Sequence, residues 1–99
     1  MKFRDLEKVR SIVQEATGLE ISYAYDDMVF PEHTVFIIQF DDSNDNNFFC
    51  YFREDTESEE RGKIMEKLTG ECEERKCTLV NKGFFDLVQK GEEVEIHFK

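Results

Sequence analysis

TVFIIQFDDSNDNNFFCYFR, residues 34–53, sets two apolar runs on either side of seven small polar residues, Asp41 to Asn47. Residues 34–40 and 48–53 are β-branched and aromatic on both alternating faces, the pattern of strands covered on both sides. The Asn and Asp residues between them tolerate tight-turn dihedrals, so the stretch reads as two central strands joined by a long hairpin connection. A calcium loop of EF-hand type is the competing reading. Taking Asp42 as its first ligand places Asn44 and Asn46 well, but Arg53 then falls where a bidentate glutamate must close the site. The stretch is a turn.

Working outward, Phe3, Leu6, Val9, Val13 and Ala16 follow helical spacing, and Gly18 is placed to stop that helix. Residues 19–25 alternate, with Leu19, Ile21, Tyr23 and Tyr25 expected on one buried face of a strand. Residues 26–33 hold the single proline, Pro31, and read as a connection. Thr56 and Glu59 have the spacing of a capping box, so a second helix is expected from Thr56 to a stop at Gly70. Three strands follow, at 76–80, 84–89 and 94–98. The middle one is also compatible with a short helix, because period alone does not separate short apolar runs.

The expected order is α-β-β-β-α-β-β-β in one α+β domain spanning residues 1–99: an antiparallel sheet with both helices on one face. The opposite face then carries large side chains without a covering layer, which marks an interaction surface. Helix, three strands and helix is also the order of double-stranded RNA-binding domains. Those place basic residues where this chain has Glu54, Asp55, Glu57, Glu59 and Glu60, so RNA binding is rejected. Acidic secretion chaperones of the type III class are similar in order and low pI, with no motif shared and no family assigned.

Charge and residue usage narrow the function classes. The net charge is −10, and residues 20–60 hold twelve acids against Arg53 alone. That field repels nucleic-acid phosphates and anionic lipid, and it attracts basic protein surfaces. No phosphate-cradling glycine motif, zinc-type cysteine pairing or nucleophile context is present, and no cofactor, metal or catalytic residue is assigned. Cys50, Cys72 and Cys77 are an odd, sparse set, and no signal-peptide pattern stands at Met1, so a cytoplasmic setting is expected.

The reading is a non-enzymatic module that binds a protein partner or a second copy of itself. The candidate contact residues are Phe36, Ile38, Phe49 and Tyr51 on the sheet, with Asp41, Asp42, Asp45, Glu54, Asp55 and Glu57 as an acidic rim. The alternative is a nucleic-acid-mimicking inhibitor, of phage or mobile-element type, that occupies a basic nucleic-acid-binding protein.

Overall fold

The computed structural model describes residues 6–25, 27–44 and 46–99, so Phe3 and Asp45 lie outside the described residues. Helix α1 (Leu6–Thr17) buries Val9, Ile12, Val13 and Ala16 along one stripe. Gly18 ends it at φ 76, its N–H donating to the Gln14 carbonyl at 2.8 Å. Strands β1 (Ile21–Tyr25), β2 (Met28–Pro31), β3 (Phe36–Phe40) and β4 (Asn47–Arg53) then form an antiparallel meander. Helix α2 (Ser58–Glu74) carries the chain to β5 (Thr78–Lys90) and β6 (Glu93–Phe98). All six strands make one sheet in chain order.

Four sequence expectations are corrected. The order is α-β-β-β-β-α-β-β, because residues 28–31, read as connection, form β2. Only four residues long and ended by a proline, β2 carries almost no local strand signal. Pro31 is tolerated because it lies opposite a bulge between Ile21 and Tyr23, where the ladder is already interrupted.

The sheet is mixed rather than purely antiparallel, since β4 and β5 run parallel. A 17-residue helix spans about 25 Å, enough to return the chain to the end of the sheet where β4 began. The third correction concerns α2 itself. It starts at Ser58, after an extended Glu57 that makes no side-chain cap, and it continues through Gly70 to Glu74. An interior glycine costs about 1 kcal/mol, and the burial of Leu68 and Cys72 on either side of Gly70 outweighs that.

Fourth, the segments 76–80 and 84–89 are parts of one thirteen-residue strand, β5. It bends without stopping at a register shift, where Cys50 faces Asn81 but Tyr51 faces Gly83. Gly83 sits at φ 139, its N–H donating to Asn81 Oδ1 at 3.0 Å; a Cβ there would meet the Lys99 carbonyl oxygen at 3.0 Å. The first half of β5 pairs with β4 and the second half with β6.

Both helices cover one face. Val9, Ile12, Val13 and Ala16 of α1 and Leu68 and Cys72 of α2 share a buried cluster with Val29, Phe36, Ile38, Phe48, Cys50 and Phe52. A second, smaller cluster lies on the other face, with Phe30, Ile37 and Phe85 at its centre. In a flat sheet, β2 and β5 would stand about 14 Å apart, three interstrand spacings. Ile37 of β3 and Tyr51 of β4 bridge that distance, and the bulge in β5 adds local twist that brings its second half towards the open face.

Candidate protein-binding face

Strand pairing assigns each side chain to a face, since direct partners in a ladder share one. Phe36 pairs with Phe52 and Ile38 with Cys50, all beneath the helices. Phe36 and Ile38 are therefore core residues at 0% and 3% exposure, a correction to their expected place on the contact face. Phe49 and Tyr51 do point to the open side, paired with Gln39 and Ile37. Both strands are apolar on both faces, so the period of two could not say which row the helices would cover.

The open face carries residues that the sequence reading left out. Tyr23 and Tyr25 were expected to be buried in line with Ile21, but they are 58% and 62% exposed. The β1 bulge is the reason. It reverses the alternation, so Ile21 packs into the helix-side core while Tyr23 pairs with Phe30 on the open side. The two tyrosine rings lie nearly parallel, 7° apart at 6.3 Å. At the far edge Val94 and Phe98 of β6 are also exposed, the Phe98 ring resting 4.6 Å from that of Tyr51. Their alternation with Glu95 and His97 was the available signal.

Polar groups order this surface. Tyr51 donates its hydroxyl to Gln39 Oε1 at 3.0 Å, and Gln39 Nε2 donates to Asp27 Oδ2 at 2.9 Å. Partial burial and then the Asp27 charge push the Tyr51 phenol above its ordinary value. The Lys82 ammonium lies 4.6 Å from the centre of the Phe49 ring.

The acidic residues do not form one rim. Asp41 accepts from the Ser43 N–H, the Ser43 hydroxyl and the Asn47 side-chain amide at 2.7–2.8 Å, so it holds the hairpin turn together. Asp42 is exposed beside it, and Asp45 lies outside the described residues. Glu54, bound to Lys99 at 2.8 Å, Asp55, bound to Arg53 at 2.7 Å, and Glu57 follow the other end of β4. Seven extended residues keep the two groups about 20 Å apart.

The cysteines come together in the helix-side core, from β4, from α2 and from the turn after it. Burial pushes the Cys50 thiol strongly upward and the Cys72 thiol to about 12, while the Cys77 thiol donates to the Cys72 carbonyl at 3.3 Å. Thiols held protonated are poor nucleophiles and metal ligands. Because both folded values lie above the unfolded one, their contribution to stability is complete below about pH 9 and is lost as pH rises beyond it. Urea titrations at pH 8 and pH 10 should show the domain less stable at pH 10, at most by about 1.4 kcal/mol per thiol per pH unit. Rapid reaction of the native thiols with a disulfide reagent at pH 8 would contradict this.

A groove of about 420 Å³ lies between the end of α1, α2 and the turn at His33. Its floor is Leu19, Val35 and Ile64, with Lys63, Lys67 and Glu60 at the rim. Thr17 supplies a hydroxyl, already donated to the Val13 carbonyl at 2.7 Å. Among the described residues, no three His, Cys, Asp or Glu side chains are placed to hold a metal ion, and no helix is long and apolar enough to cross a membrane. Compared with protein-family models, curated proteins and solved structures, the chain matches none of them.

Proposed function

We propose that this chain is a non-enzymatic interaction module that binds protein through the open face of its sheet. The observation that carries the reading is where the exposed apolar side chains lie. Tyr23, Tyr25, Val80, Val94 and Phe98, five of the seven large exposed hydrophobic residues among those described, belong to the face the helices leave bare. Rigid aromatic side chains on a preformed sheet supply contact area at little entropic cost. A net charge of −10 favours a partner with a basic surface.

Affinity capture from native-host lysate at low and moderate salt tests the reading. A specific partner should survive moderate salt, and Tyr25→Asp or Phe49→Asp should weaken its capture at least tenfold while circular dichroism stays unchanged. Undiminished capture by both folded variants overturns the open-face reading. If binding instead collapses with salt and with neutralisation of Asp41, Asp42, Glu54, Asp55 and Glu57, the nucleic-acid-mimicking inhibitor takes its place.

A further inference from the structure

Strand β6 is the last in the sheet, and its outer edge pairs with no other strand among the described residues. Such an edge offers a row of free N–H and C=O groups to an incoming strand. Which groups these are follows from the hairpin. Lys90 and Glu93 close a turn of two residues, so the backbone groups of 93, 95 and 97 point inward to β5. The Lys99 N–H, bound to the Phe84 carbonyl at 2.9 Å, continues the same phase. Val94, Ile96 and Phe98 therefore aim their backbone groups outward.

The side chains of this segment read as their own complement. EVEIHFK, residues 93–99, laid antiparallel on a second copy about Ile96, sets Glu93 against Lys99, Val94 against Phe98, Glu95 against His97 and Ile96 against itself. In that register the three outward-facing residues of one chain meet the three of the other, and six N–H···O=C bonds can form. A shift by one residue pair that centres the crossing on Glu95 puts the two Glu95 carboxylates face to face. A crossing centred on His97 sets Ile96 against Phe98 and leaves Val94 without an apolar partner in residues 93–99. Backbone phase restricts the pairing to even residues against even residues, and apolar matching and charge then favour the crossing centred on Ile96.

We propose that the chain forms a two-fold symmetric dimer by antiparallel pairing of β6 with β6 of a second copy, centred on Ile96. It deepens the interaction reading by naming one partner, and it rests on that reading only in sharing Val94 and Phe98 with the open face. The occupant is a second copy because the segment is complementary to itself in apolar residues and in the Glu93–Lys99 pair. Within one chain Lys99 contacts Glu54 at 2.8 Å and His97 contacts Glu95 at 3.0 Å, and on pairing both side chains would be shared with the second copy. The acid-rich stretch, residues 20–60, belongs chiefly to β1–β4 and their loops. The pairing buries the two most exposed apolar residues of β6, Val94 at 54% and Phe98 at 46%, against each other across the join.

Sedimentation equilibrium of the full chain tests the dimer. A concentration-dependent approach to twice 11.8 kDa is expected. Val94→Pro removes an outward N–H from an edge position, where proline leaves the inner ladder intact, and should abolish dimers in a folded chain. Glu93→Lys and Lys99→Glu should each weaken self-association by about tenfold, since each sets like charges together twice. Mixing those two variants should restore it, because the mixed pair has opposite charges at both positions.

A chain that stays monomeric at submillimolar concentration overturns the inference, as does a dimer that ignores Val94→Pro in folded form. Should Val94→Pro unfold the chain, the mixing experiment decides alone: no gain on mixing overturns the pairing. Tyr25→Asp, which tests the open face, should leave the dimer unchanged, so failure of one reading is separable from failure of the other.

Discussion

Replacing Phe36 by aspartate is expected to unfold the domain, whereas the same charge at Tyr25 is expected to leave it folded. Phe36 lies at 0% exposure between the sheet and the helices, its ring 6.1 Å from that of Phe52. Removing a buried phenylalanine costs about 3–5 kcal/mol. A carboxylate placed there also loses its hydration, or must bind a proton to enter, for several kcal/mol more. The sum reaches the 5–15 kcal/mol that holds typical domains together. Tyr25 is solvated on β1, and substitutions at such positions fall within about 1 kcal/mol. Far-ultraviolet circular dichroism and a urea titration of both variants check the pair. A folded Phe36→Asp chain would mean that the helices cover the other row of the sheet.

Phe85→Ala should lower stability by about 3–5 kcal/mol, and Phe84→Ala, one residue earlier, by about 1 kcal/mol or less. The two side chains leave β5 on opposite faces. Phe84, 36% exposed, lies with its ring 5.0 Å from the Arg61 guanidinium of α2. Phe85 is fully buried with Phe30 and Ile37 in the smaller core, against Tyr51, Leu87 and Ile96. This contrast measures how far the smaller core on the open face contributes to stability. Urea midpoints at unchanged slope give the two values. Equal losses would show that Phe85 is not packed in that smaller core.

Much of the architecture was legible because short-range patterns carry it. Val9, Val13 and Ala16 recur at helical spacing, Gly18 stops α1, and the two apolar runs flanking Asp41–Asn47 form the hairpin expected of them. The hairpin connection is a turn braced by the Asp41 carboxylate. β2 was missed because four residues ended by Pro31 give no alternation to read. The candidate face was half legible. Phe49 and Tyr51 point to the open side, but Phe36 and Ile38 do not. Tyr23 and Tyr25 alternate in line with Leu19 and Ile21, yet they face the open side, because the bulge in β1 reverses their phase and leaves no mark in the pattern of side chains.

The sequence by itself determined an α+β chain with two amphipathic helices, aromatic strands and an acidic middle, because spacing and charge are properties of neighbours along the chain. It also contained the self-complementary segment at residues 93–99, whose meaning depends on where that segment lies. Only the tertiary structure decided that β5 runs parallel to β4, that the helices cover the Phe36 row, and that β6 ends the sheet with no strand on its outer edge among the described residues. Those outcomes rest on the crossover made by α2 and on the bulges in β1 and β5. Each depends on contacts between residues far apart in the chain, and period-two reading is blind to them when both faces of a strand are apolar.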